Sequence, residues 1–230
     1  MLFRVIDFET TGFPPEAAIC EIGYCDLKVY AGQIENIDAP VSLLVNPNRP
    51  MPPEARAVHH ISDDDLIGAP PIETGLIQLN HPSVDVFVAH NMAFEREFFT
   101  GGQKNWICTL KVSRRLWPDC PSHTNQCLRY FLGVELDHQV AMPPHRAGPD
   151  AYVTAHILRE AINAGATLAD MIEWSIEPSL LPRVNFGKHR GQAWKDLPGD
   201  YLDWIVRKSD MDADVKFTAR HHLDARRKAT

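Results

Sequence analysis

At 230 residues, 44% hydrophobic and 23% charged, the chain has room for one sizeable globular core, or for one domain with a small appendage. No apolar run approaches the ~18 residues of a membrane span, Met1–Arg4 leads straight into an acidic strand without a secretory leader, and five cysteines with no Cys-x-x-Cys pair suit reduced thiols of a cytoplasmic protein rather than a disulfide frame or zinc site. The net charge of −7 argues against a polyanionic partner until its distribution is seen: from Arg183 onward there are 11 Lys and Arg against 7 Asp, and before it 12 against 23 acids.

The chain opens on Arg4-Val5-Ile6-Asp7-Phe8-Glu9-Thr10-Thr11-Gly12. Val5, Ile6 and Phe8 favour a strand, whose side chains alternate faces, so Asp7 and Glu9 point to the same side. Like charges so close repel unless something neutralises them, and a divalent cation does so; taken alone, the stretch is equally an exposed strand with two solvated acids. Ala17 to Tyr30 reads as a second strand, Ala31-Gly32 as a turn, and Ile34 through Val41–Val45 as a third, an antiparallel meander closed by the loop Asn46–Pro50. Short helices are expected at Pro53–Val58, after a Ser62 cap, and over Ile72–Leu79. Val84–Ala89 is a short strand that delivers His90-Asn91 to a helix from Ala93 to Phe99. Trp106–Thr109 is a brief strand continued by a helix over Leu110–Leu116, and Thr124–Leu132 is a further helix stopped by Gly133. The Pro-rich loop Asp137–Pro144 leads into a long helix, Gly148–Ala164, with Val153, Ile157, Leu158 and Ile162 at helical spacing. Pro178–Pro182 reads as a linker, Val184–Gly191 as a short strand with a glycine turn, and Tyr201–Arg207 and Ala213–Arg227 as helices. Strands first, then strand–helix alternation, describe an α/β fold with a mixed sheet. The expected division is a domain over 1–165, a linker over 166–183 and a small basic module over 184–230.

Two later stretches carry further ligand chemistry. His90-Asn91-Met92-Ala93-Phe94-Glu95 lies where a strand ends and a helix starts, and His145-Arg146-Ala147-Gly148-Pro149-Asp150 in the loop and first turn of the long helix. An acid in a first turn is favoured by the helix dipole. With Asp7 and Glu9 these make four carboxylates and a histidine, a set of hard oxygen ligands that selects Mg²⁺ or Mn²⁺.

In order, these stretches resemble the DEDDh (DnaQ-like) 3′→5′ exonucleases. The motif Asp-x-Glu-Thr-Thr-Gly stands at Asp7–Gly12, Asn-x-x-Phe-Asp at Asn91–Glu95, His-x-Ala-x-x-Asp at His145–Asp150, and His-x-Ile-Ser/Thr at His59–Ser62. Trp106–Thr109, Arg114–Pro118 and the tail Phe186–Gly191 with Tyr201-Leu202-x-Trp204 are similar to the exonuclease X subgroup. One position departs from the pattern: the second motif ends in Glu95 where the family has Asp, moving that carboxylate about one methylene outward, and small misplacements of catalytic groups are costly.

The resemblance implies an RNase H-like mixed five-stranded sheet flanked by helices, with a small C-terminal α+β appendage. It also implies release of nucleoside 5′-monophosphates from DNA with a 3′ end, single- or double-stranded, using two Mg²⁺ or Mn²⁺ per site. Asp7 is expected to bridge both ions, Glu9 and Asp150 to complete the ligand set of the first ion, and Glu95 to hold the second ion or its waters. His145 is the expected general base, since a neutral imidazole can take a proton from the attacking water. His90 is expected to orient the second motif. Backbone N–H groups of Thr10, Thr11 and Gly12 and the side chain of His59 are expected around the terminal nucleotide, Phe13 and Phe94 against its base, and Asn91 near the scissile group or as a helix cap. Arg114 and Arg115 are candidate phosphate contacts or solvated arginines, and Lys188 and Arg190 candidate contacts on the tail's glycine turn. An exonuclease acting on RNA and, from another class, a weakly active nucleic-acid-binding or proofreading accessory remain as alternatives, the latter prompted by Glu95.

Overall fold

Valine, isoleucine and phenylalanine crowd the first thirty residues, and they build the centre of the sheet. The computed structural model describes residues 1–228. Its strands are β1 (Leu2–Thr10), β2 (Ile19–Tyr30), β3 (Gln33–Ile37), β4 (Val41–Leu44), β5 (Val86–Ala89) and β6 (Asn105–Cys108). They form one mixed sheet in the order β3-β2-β1-β5-β6, with β4 also paired to β2. β1 runs antiparallel to β2 and parallel to β5, and β5 is parallel to β6. The sheet has six strands where five were expected, because the long third strand is cut at Asp38-Ala39-Pro40. Asp38 turns its N–H back to the Asp26 carbonyl (2.8 Å), and Pro40 has no N–H with which to continue a ladder. β3 then pairs with one end of β2 and β4 with the other.

The helices are α1 (Pro53–His59), α2 (Ile72–Leu79), α3 (Met92–Phe98), α4 (Thr109–Leu116), α5 (Asn125–Phe131), α6 (Ala147–Asn163), α7 (Leu168–Ile176), α8 (Gly199–Lys208) and α9 (Ala213–Lys228). Alternation along β1 sorts its side chains between two cores. Phe3 and Val5 pack with Leu27, Val88 and the Ala151–Leu158 face of α6, while Ile6 and Phe8 pack on the other side with Ile22, Phe87 and Leu79 of α2. Asp7 and Glu9 continue the first series and so face the α6 side.

Residues 166–183, expected as linker, contain α7. Thr167 and Asp170 form a reciprocal capping box, Met171 is buried, and the Ser175 hydroxyl accepts the Cys108 N–H at 2.7 Å. Extended chain is left only at 177–182. Beyond it, the strand expected over Val184–Gly191 is reduced to an isolated bridge between Arg183 and Ala193. Gly187 and Gly191 both take positive φ (56° and 86°) and fold the segment back on itself within a few residues. This part of the chain has a core of its own, in which Val184, Trp194, Leu197, Leu202, Ile205 and Val215 are buried together. All five cysteines are free, and among the described residues no helix is long and apolar enough to cross a membrane.

Candidate active site

Because β1 and β5 are parallel, the C-terminal ends of both reach the same edge of the sheet. β1 brings Asp7 and Glu9 there, and the turn after β5 brings α3 with Glu95. The first turn of α6 supplies Asp150. Carboxylate oxygens of Asp7, Glu9 and Asp150 lie within 4.8 Å of one another. Their protonation equilibria record the crowding. Burial, then the charges of Asp150 and Glu9, push Asp7 well above the usual carboxylate range. Burial and Asp150 push Glu9 up to about 8. Asp150 is raised by burial, against the pull of the His145 N–H, which donates to its Oδ2 at 2.8 Å.

Glu95 stands just outside this triad. It is 4% exposed, burial pushes it up to about 8, and its charge in turn raises both Asp7 and Glu9. Its Oε2 is buried without a hydrogen-bond partner, a costly state for a carboxylate unless something outside the protein reaches it. An all-oxygen donor set that repels itself, with one orphaned oxygen at its margin, fits a hard divalent cation.

A second set of residues fixes α6, and motif reasoning passed over it. Glu21 lies on β2 directly across from Glu9, fully buried, and accepts two hydrogen bonds from Arg146 (2.9 and 2.7 Å) and one from the Ala147 N–H (3.0 Å). Beside it, Gly23 sits across from Asp7, and a Cβ on Gly23 would lie 2.0 Å from the Ala147 carbonyl carbon. A Cβ on Gly148 would lie 2.2 Å from the Ser42 hydroxyl, which accepts the Gly148 N–H. The start of α6 therefore rests directly on the backbone of the sheet, and only this closeness lets short Asp150 reach Asp7. A glycine inside a strand was the available signal.

His145 is exposed and holds a left-handed backbone (φ 59°), uncommon for a residue with a side chain; its N–H bond to Asp150 fixes that turn. His90 is tied down instead. Its Nε2 faces the His123 carbonyl at 2.7 Å and its Nδ1 the Thr109 hydroxyl at 3.0 Å, and burial lowers its pKa to about 4. Nε2–H thus donates to the carbonyl and Nδ1 accepts from the hydroxyl, a neutral ring that anchors the strand end carrying the second motif.

Adjoining Glu9 is a cleft of about 430 Å³, the size of a small-ligand site. Thr10, Thr11, Gly12, Phe13, His59 and Phe94 all line it, together with Val58 of α1. Phe13 is 84% exposed and meets Phe94 edge-on (centroids 6.2 Å apart), and Phe94 meets Phe98 at 5.3 Å. His59 is buried; its Nδ1 accepts the Ile61 N–H at 3.0 Å, and its ring also bonds the Thr10 backbone. One expected donor is already engaged: the Thr11 N–H bonds the Ala18 carbonyl at 2.9 Å, where the turn after β1 folds back toward β2. Asn91 is exposed at the start of α3, makes no side-chain cap bond and does not line the cleft.

Arg114 and Arg115 are half-buried and hold partners within the chain. Arg114 donates to the Ser179 hydroxyl, and Arg115 pairs with Glu177 and lies over the rings of Trp174 and Phe217. They strap the C-terminal module to the sheet-bearing body. Lys188 and Arg190 are exposed on that module and do not line the cleft.

Comparison with known proteins bears on this arrangement. The profile of the RNase T exonuclease family matches residues 5–158. Exodeoxyribonuclease 10 of Escherichia coli (strain K12) is 34% identical over 97% of this chain and 99% of its own length. The PolC-type DNA polymerase III of Streptococcus pneumoniae (serotype 2) is 31% identical over 68% of this chain, but over 11% of its own length. Among solved structures, exonuclease X in complex with 5′ overhanging duplex DNA superposes with a TM-score of 0.62 at 34% identity, covering 75% of this chain and 99% of that one. The profile takes in β1 through most of α6, the same elements that carry the acids and line the cleft, and so the chain belongs to the RNase T exonuclease family.

Proposed function

We propose that the chain is a divalent-metal-dependent 3′→5′ exonuclease that shortens DNA by releasing nucleoside 5′-monophosphates. The observation that carries this reading is the convergence of Asp7, Glu9 and Asp150 within 4.8 Å beside a cleft lined by Phe13 and Phe94. Asp7, Glu9, Asp150 and Glu95 would hold two Mg²⁺ or Mn²⁺ ions, which when bound supply Lewis acidity toward the water and the phosphate. Phe13 and Phe94 stack against the terminal base, an interaction tolerant of sequence. His145, in the loop against Asp150, takes the proton of the attacking water as its oxygen bonds phosphorus, and the P–O3′ bond breaks with its electrons going to the 3′-oxygen. DNA is preferred over RNA because the relative alike from end to end is an exodeoxyribonuclease. Residues 1–165 carry the chemistry and 184–230 form an accessory module, a division supported by the separate core around Trp194. The free thiols suit a reducing cytoplasm.

The test is incubation of 3′-labelled DNA and RNA oligonucleotides with Mg²⁺, Mn²⁺ or EDTA. Mononucleotide release from DNA with either metal and none with EDTA is expected. Release from RNA alone, or no release with either metal, would overturn the reading. Asp7→Asn and Asp150→Asn should each lower the rate by roughly 10²–10³-fold, as loss of a transition-state electrostatic group does. A His145→Ala enzyme of near-full activity would remove the histidine from the mechanism.

A further inference from the structure

The C-terminal module lies beyond the residues matched by the exonuclease profile, and one face of it is built like a ligand platform. Tyr201 and Trp204, three apart on α8, are stacked with centroids 5.7 Å apart and planes 20° from parallel. The His189 ring lies 4.6 Å from Tyr201, steadied by a 2.9 Å bond between its Nδ1 and the Gln192 side chain. Lys188 Nζ stands 5.6 Å from the Tyr201 centroid. Trp204 is 43% exposed, so its indole stands open to a ligand beside the Tyr201 ring. The nearby acids are already engaged: Asp203 pairs with Arg207 at 2.7 Å, and Asp200 accepts the Tyr201 N–H at 2.9 Å. Lys188 and Arg190 have no carboxylate partner among the described residues.

We propose that this face binds single-stranded nucleic acid, bases stacking on Trp204 and Tyr201 and phosphates meeting Lys188 and Arg190, and that it holds the substrate strand at a second place away from the catalytic cleft. The proposal rests on the reading of the chain as a nuclease. Charge favours this occupant over a protein. The segment from Arg183 carries 11 Lys and Arg against 7 acids, whereas the rest of the chain carries 12 against 23. Exposed aromatics interleaved with free cations are the arrangement that holds unpaired strands without regard to sequence. Duplex DNA hides its base faces and offers this platform only its phosphates.

The experiment measures binding of a fluorescent single-stranded DNA oligonucleotide to the full chain in EDTA, by anisotropy at several salt concentrations. Trp204→Ala should weaken binding by roughly tenfold, with Trp204→Phe restoring most of it. The double charge reversal Lys188→Glu/Arg190→Glu should weaken binding and flatten the salt dependence by about 0.7 in log–log slope for each phosphate no longer neutralised. Duplex of equal length should respond to the charge reversal and little to Trp204→Ala. If Trp204→Ala and the charge reversal both bind the single strand like the wild type, with the same salt slope, the platform is not a nucleic-acid site and a protein partner becomes its occupant. Nucleotide release from a trinucleotide with Mn²⁺ should be unchanged in these variants, since none of the residues lines the cleft. Absence of release by the wild type would sink the nuclease reading instead, so the two failures are distinguishable.

Discussion

At the scale of single residues, the site is a set of acids that the apo protein can hold only by keeping protons on them. Glu9 and Glu95 go from an ordinary 4.5 to about 8 on folding. Between those values the folded protein keeps protons that the unfolded chain has released. Stability is therefore full below about pH 4.5 for these groups and falls as pH rises through about 8, at up to ~1.4 kcal/mol per pH unit for each group titrating. A metal ion binds the deprotonated carboxylates and reverses the trend. Without metal, the melting temperature should fall from about pH 5.5 to about pH 8.5, and added Mn²⁺ should raise it more at the higher pH. A metal-free melting temperature that stays flat across that range would contradict the assignment. Glu95→Gln should flatten part of the metal-free decline while weakening the response to Mn²⁺. Alternation along a strand was enough to see Asp7 and Glu9 on one face. The pairing of Glu21 with Arg146 was not visible, because an ion pair across 125 residues leaves no local pattern.

At the scale of elements, the start of α6 is held on the sheet by bare backbone and one buried ion pair. Arg146→Met would leave Glu21 buried with only the Ala147 N–H, and should cost about 3–5 kcal/mol in a denaturant titration. Gly23→Ala forces the Ala147 peptide away from β2 and should destabilise by about 1–3 kcal/mol or more, with a larger loss of Mn²⁺ affinity than Gly32→Ala, whose Cβ meets nothing, although its positive φ adds backbone strain of its own. Equal Mn²⁺ affinities in the two variants would separate the close approach from the site. The antiparallel meander and most helices were legible from periodicity and turn residues. α7 was passed over even though Thr167-Leu168-Ala169-Asp170 carries a cap signal, because the prolines that follow drew the whole segment toward a linker. The long third strand failed for the opposite reason: apolar content continued past Pro40, and the ladder did not.

At the scale of the whole molecule, an acidic body and a basic module are joined by a short extended segment that is held from both sides. Arg114 and Arg115 reach it from the body, and Asp214 and Thr218 of α9 bond the Ser179 and Leu181 N–H groups at 2.8 and 2.9 Å. Composition placed the charge asymmetry correctly, but the two arginines looked like free cations because their partners lie more than sixty residues on. Asp214→Ala should remove about 1 kcal/mol, with its clearest effect local: faster trypsin cleavage at exposed Arg183. An unchanged cleavage rate would show that the strap does not govern the joint.

The glycine under α6 has a consequence for how this protein would look in a saturation mutagenesis library selected on nuclease activity. Position 23 should be as intolerant as position 7, although glycine offers no group to the chemistry, and an activity map alone would mark it as a catalytic residue. A parallel screen for folded protein separates the two. Asp7→Asn relieves repulsion and should leave the yield of folded protein intact, whereas a side chain at 23 should lower folded yield along with activity, since the obstacle is the neighbouring peptide itself.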